Sequence, residues 1–244
     1  MTRTFSMAAA LACYAAFFAA FVYFAGFVAG FPALPTHVDK GLAAPPAVAA
    51  IVDLGLIALF GIQHSVMARP GFKQAWTRIV PPQLERSIYC LAASLALAVM
   101  FVFWCPIPAV LWDVTDPLLR TLLWAVFGLG FAIVFISTWL ISHFELFGLA
   151  QAWRHFRGTE AAPPTFRTPA FYRAVRHPIY LGFFLAMWAT PHMTVGHLVL
   201  AGGLTLYLLV GIHYEERDLV ANFGTQYEDY RRRVGMLIPG LGRR

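Results

Sequence analysis

The chain has 244 residues, 59% of them hydrophobic and only 12% charged, with a mean hydropathy of +0.66. That balance excludes a soluble globular domain. The formal charge of +6 sits mostly in loops between apolar runs, so it reads as a membrane-topology signal and calls for no nucleic-acid partner.

Apolar runs of about 20 residues are long enough to cross a hydrocarbon core of roughly 30 Å as helix. They fall at about 7–31, 47–67, 87–111, 118–142 and 179–213. Lipid offers no hydrogen bonds to bare backbone, so each is predicted helical; the ten-residue alternating segments of a barrel are absent. The expected fold class is all-α: a polytopic membrane protein of about five transmembrane elements, the last a helical hairpin, with a cytosolic C-terminal lid helix. Arg3 precedes the first run, whose length to Phe31 exceeds a signal-peptide core, so it is expected to be a retained helix. Cys13, Cys90 and Cys105 lie in or at the ends of apolar runs without metal-like spacing, and read as small buried hydrophobes.

Segment 68–86 carries Arg69, Lys73, Arg78 and Arg86 against Glu85, and segment 143–178 carries Arg154, Arg157, Arg167, Arg173 and Arg176 against Glu145 and Glu160. Segments 32–46 and 112–117 hold only Asp39 with Lys40, and Asp113 with Asp116. The positive-inside rule then puts both basic loops and the N-terminus in the cytosol. Ala161-Ala162-Pro163-Pro164 reads as a loop hinge. A division follows: 1–142 as a bundle of four transmembrane helices, and 143–244 as a cofactor-binding loop, the hairpin and the cytosolic C-terminal helix.

As one straight helix, 179–213 would reach roughly 52 Å, too long for the core. Pro191, after Thr190 and before Gly196, supplies the break. The resulting hairpin returns Tyr180 and Glu215 to one face. There Arg173, Arg176, His177 and Tyr180 meet Tyr214, Glu215, Glu216 and Arg217. Pro178 suits the first helical position, which makes His177 the helix start and sets Tyr180 on its face. Gly182 allows a close approach by a ligand or another helix. Residues 215–234 read as one amphipathic helix with Leu219, Phe223, Tyr227 and Tyr230 along one side.

Arg176-His177-Pro178-x-Tyr180-x-Gly182, then Glu215-Glu216-x-x-Leu219 and Phe223-Gly224-x-x-Tyr227-x-x-Tyr230, resembles the isoprenylcysteine carboxyl methyltransferase and phospholipid methyltransferase superfamily of membrane enzymes. Gln63-His64-Ser65-Val66-Met67-Ala68-Arg69-Pro70 and Ser142-His143-Phe144-Glu145-Leu146-Phe147-Gly148-Leu149 with Gln151 resemble its methanethiol S-methyltransferase branch, and NnrU-type membrane proteins share parts of the first motif. The resemblance implies S-adenosylmethionine as methyl donor and a small volatile thiol as acceptor, in contact with membrane lipid, with the site on the cytosolic face of a bacterial inner membrane. It implies cofactor contacts from Gln151, Arg173, Val175, Arg176, His177, Tyr180, Leu181, Gly182, His213, Tyr214, Glu215, Glu216, Arg217, Phe223 and Tyr230.

A thiol must lose its proton to attack, so His64, His143 and Tyr180 are the candidate catalytic groups. His143 and Glu145, two residues apart, point different ways on a helix. A metal set joining them to His64 stays an alternative, but no metal is predicted. Other open alternatives are a prenylcysteine carboxylate or a lipid amine as acceptor, or a non-catalytic NnrU-like membrane protein.

Overall fold

The computed structural model describes residues 2–161, 163 and 165–243; two positions of the expected hinge, Ala162 and Pro164, lie outside them. The described residues form α1 (Arg3–Val28), α2 (Pro46–Ala68), α3 (Pro70–Trp76), α4 (Glu85–Phe103), α5 (Pro117–Ile141), α6 (His143–Leu146), α7 (Leu149–Arg157), α8 (Pro178–Trp188), α9 (Val195–Phe223) and α10 (Thr225–Arg233). Strands β1 (Val110–Asp113) and β2 (His192–Thr194) make a two-stranded sheet. Helices α1, α2, α4, α5 and α9 are long and apolar enough to cross a membrane, and α8 is a shorter apolar helix. The chain is thus an all-α polytopic membrane protein.

The helix ends follow local chemistry. Thr2 caps α1 by accepting the Phe5 N–H, and Asp116 caps α5 by accepting the Leu119 N–H at 2.8 Å. Pro46, Pro117 and Pro178 open their helices where a missing N–H costs nothing. The third apolar run was expected to be helical to 111, but α4 stops at Phe103. Pro106 and Pro108 cannot continue a helix. The apolar Trp104–Ile107 stretch is instead buried irregular chain, with Trp104 Nε1 donating to the Val38 carbonyl at 2.9 Å and Cys105 N–H donating to Asp53 Oδ1 at 2.9 Å.

Two compact units emerge, each drawn from several stretches of sequence. One comprises 1–111, 143–162 and 194–200; the other comprises 112–142, 163–193 and 201–244. Along the sequence the units alternate, because helix partners here are not sequence neighbours. In the first unit α1 packs on α4 and α7, and α2 packs on α4. Ala10, Val80, Leu84, Leu149 and Ala152 form one of its cores. All three cysteines are free and buried.

In the second unit α5 crosses α8 at two glycines. A Cβ on Gly182 would lie 2.5 Å from the Gly130 carbonyl oxygen and 2.9 Å from the Val134 nitrogen. Helices that close exclude any side chain at the crossing. Gly182 therefore serves the approach of a helix. The predicted hairpin is present: α8 ends at Trp188, and α9 runs back beside it. Trp188 Nε1 donates to Thr205 Oγ1 at 2.9 Å, and the Tyr180 ring lies 3.7 Å from where a Gly211 Cβ would be.

The C-terminal helix differs from expectation. Residues 215–223 are the last turns of α9 rather than the start of a separate helix. The chain breaks at Gly224, whose φ of 53° and ψ of −130° suit glycine, and α10 follows. Beyond it, residues 234–242 fold back as a strap. Gly235 bridges Val175 in parallel, Arg176 N–H donates to the Gly235 carbonyl at 2.8 Å, and His177 N–H donates to the Met236 carbonyl at 3.2 Å.

Candidate active site

The second unit gathers most of the ionisable residues singled out in the sequence. His177 is the N-cap of α8, and its ring meets Tyr180 edge-on at 5.4 Å. Glu215 and Glu216 occupy successive positions on α9 and so point in different directions. Glu216 is buried. Its Oε1 accepts from Arg176 Nε at 2.7 Å and from His177 Nε2 at 3.1 Å, while Oε2 lies 3.5 Å from Arg231 Nε. Because a carboxylate only accepts, His177 carries its proton on Nε2. Glu215 is partly exposed; its Oε2 accepts from the Tyr180 hydroxyl at 2.7 Å and lies 3.7 Å from His177 Nδ1.

Arg176 turns inward. Besides Glu216, its guanidinium donates to the carbonyls of Val234 at 2.6 Å, Gly242 at 3.1 Å and Arg231 at 3.3 Å. With four acceptors from the chain itself, it anchors the strap. Sequence reading cast it as a donor to a ligand carboxylate; the geometry uses it to hold residues 234–242 against the His177 turn.

Val175 pairs with the strap, Arg173 is exposed, and Leu181 lies partly buried beside Gly182. His213, Tyr214 and Arg217 lie on the exposed side of α9, with the Arg217 guanidinium 5.4 Å above the Tyr214 ring. Phe223 and Tyr230 pack on Phe166, at 5.4 Å each. Phe166 had no signal in the sequence beyond being an aromatic in a polar loop. Tyr230 also donates to the Tyr172 carbonyl at 2.5 Å, and burial pushes its phenol up to about 12.

The remaining candidates lie in the first unit. His64 Nε2 is 2.7 Å from the Tyr89 hydroxyl, and the Arg86 guanidinium stands 5.3 Å from the centre of the Tyr89 ring. His143 Nε2 is 2.7 Å from the Tyr14 hydroxyl, and the ring packs on Phe147 at 4.8 Å. Burial lowers the His143 pKa from its ordinary value, which keeps it neutral at pH 7. Each histidine is thus oriented by a tyrosine that sequence reading did not assign. Tyr14 lies in an apolar helix, where a phenol among Ala and Phe was the only hint. Glu145 is taken up in an ion pair with Arg154, and Gln151 donates to the Glu145 carbonyl at 3.2 Å. Among the described residues no three His, Cys, Asp or Glu side chains form a group that could hold a metal ion.

The model of the family described as NnrU protein matches residues 54–239. The chain belongs to the NnrU family. It is 51% identical to a methanethiol S-methyltransferase of Mycobacterium tuberculosis over 98% of both chains. Identity to a methanethiol S-methyltransferase of Crocosphaera subtropica is 46%, over 100% of this chain and 95% of that protein. A more distant relative is nurim of Xenopus laevis, 34% identical over 64% of this chain and 58% of its own. No solved structure matches this NnrU-family chain.

Proposed function

We propose that the chain is an S-adenosylmethionine-dependent S-methyltransferase that converts methanethiol to dimethyl sulfide, working at the cytosolic face of a bacterial inner membrane. The observation that carries this reading is the 51% identity over 98% of both chains to a protein of that name. The two most basic loops flank the cytosolic helix ends under the positive-inside rule, which supports the orientation.

The residues of the second unit suit the methyl donor. Glu215 is partly exposed, with acceptor capacity beyond its bond to Tyr180. The Tyr172 hydroxyl is a buried donor without a partner among the described residues. Aromatic rings such as Tyr180 attract a sulfonium by about 0.5–2 kcal/mol. Glu216 stays with Arg176 and His177 and keeps the turn rigid, so His177 positions Tyr180 and Glu215 rather than binding through its own ring.

The reaction needs a thiolate. A thiol of the cysteine type titrates near ~8.5, so at neutral pH a base must take the proton. His64 and His143, both in the first unit, are the candidate bases, and the Nε2 of each lies 2.7 Å from a tyrosine hydroxyl. The thiolate sulfur then forms a bond to the methyl carbon while the sulfonium C–S bond breaks, its electron pair passing to the departing sulfide. Holding the sulfur in line with that bond makes the step effectively unimolecular.

Purified protein supplied with methanethiol and S-adenosylmethionine should release dimethyl sulfide into the headspace. Substituting His64 or His143 by Gln should lower the rate about 10²-fold for at least one of them, the scale of a lost general base. Donor binding without any sulfide would move the acceptor to another class, such as a prenylcysteine carboxylate or a lipid amine. Absence of donor binding would end the enzymatic reading.

A further inference from the structure

Helix α7 buries only part of its apolar side. Leu149 and Ala152 are buried in a core with Ala10 of α1, Val80 and Leu84. By helical spacing Trp153 and Phe156 fall on the same side, yet they are 50% and 39% exposed. Their rings stack at 5.8 Å, and the Arg157 guanidinium stands 5.8 Å from the centre of the Trp153 ring. Ile79, 80% exposed, directly precedes Val80 and adds another open apolar side chain beside that core.

The packing also fixes the level at which α7 lies. Leu149 and Ala152 sit by Ala10 of α1, a helix long and apolar enough to span the membrane. At the other end of α7, the Arg3 guanidinium nitrogens lie 3.4 Å from where a Gly158 Cβ would be. Arg3 to Ala10 is about 10 Å of helix, and the apolar run of α1 begins at about residue 7. The short helix therefore lies where hydrocarbon gives way to headgroups. Among its arginines, Arg154 is neutralised by Glu145. Arg157 and Arg3 have no ion-pair partner among the described residues.

Rings at that level are in their preferred place, since an indole keeps its body in lipid and its N–H in water. Guanidinium groups bind phosphate oxygens through paired N–H donors. A zwitterionic headgroup carries its own cation, whereas an anionic one leaves its charge for the protein to meet.

We propose that α7 is an interfacial helix that binds anionic phospholipid, with Trp153 and Phe156 seated against the acyl chains and Arg157 and Arg3 on the headgroup phosphates. This role goes beyond methyl transfer and holds whichever acceptor the chain uses.

The test uses the purified full chain in phosphatidylcholine nanodiscs carrying a small share of brominated lipid, because bromine quenches only the tryptophans it touches. Subtracting the emission of Trp153→Phe from that of the wild type isolates Trp153 among the seven tryptophans. Brominated phosphatidylglycerol should quench this signal at a lower mole fraction than brominated phosphatidylcholine, by about 5-fold for each arginine. Added salt should narrow the gap. Arg3→Gln combined with Arg157→Gln should bring the two lipids level while both still quench, since the aromatic contact remains. Equal quenching of the wild type by both lipids overturns the anionic preference, and quenching by neither takes α7 out of the bilayer. A preference kept by the double variant assigns the phosphates to other residues and overturns the proposal too. The salt series needs no substitution at the arginines, and a gap that salt leaves unchanged is equally fatal. A chain that elutes from detergent as a dimer, and as a monomer in Trp153→Asp, would give this surface to a second copy and overturn the lipid assignment.

Discussion

Arg176 has four acceptors from its own chain, three of them backbone carbonyls between Arg231 and Gly242. Only a planar fork with five N–H groups can serve so many at once. Arg176→Lys keeps the charge but not the fork, and a buried acceptor without its donor costs about 1–3 kcal/mol. For a chain of this size a loss of about 2 kcal/mol corresponds to a melting temperature lower by roughly 4–8 °C. Differential scanning fluorimetry in detergent should show that drop together with weaker donor binding, because the strap it anchors covers the His177 turn. An unchanged melting temperature would return Arg176 to the ligand. The arginine was visible in the sequence as part of Arg176-His177-Pro178, but its duty was not. Its partners are carbonyls some 60 residues away, and a carbonyl leaves no trace in residue identity. The same holds for Tyr14 and Tyr89, whose meaning comes only from the histidines the fold sets against them.

At the scale of elements, hydropathy and proline placement made the five long helices and the α8–α9 hairpin legible. Ends were less so. Trp104–Ile107 is as apolar as a helix because it is buried, while Pro106 and Pro108 forbid the helix. The tail was read as a separate helix from 215 because charge begins there, yet nothing local stops α9 until Gly224. The α5–α8 crossing gives a sharp prediction. Gly182→Ala would drive a methyl to 2.5 Å from the Gly130 carbonyl oxygen and 2.8 Å from Val134 Cγ2, and backbone cannot give way cheaply. Gly202→Ala on α9 meets nothing within 4 Å and gains helix propensity of up to about 1 kcal/mol. Thermal melts should therefore move in opposite directions, down for Gly182→Ala and level or up for Gly202→Ala. A neutral Gly182→Ala would mean that the helices do not cross so closely.

The molecule as a whole is a helical membrane protein whose second unit folds a short sequence motif, two glutamates and the C-terminal strap onto one another. On our account that cluster is where the methyl donor binds. Ultraviolet crosslinking of methyl-labelled S-adenosylmethionine to the purified chain, followed by peptide mapping, tests this most directly. The account predicts label on peptides spanning Phe171–Gly182 or Gly211–Phe223, and its loss in Glu215→Gln. Label confined to α1–α4, or undiminished in that variant, would contradict it.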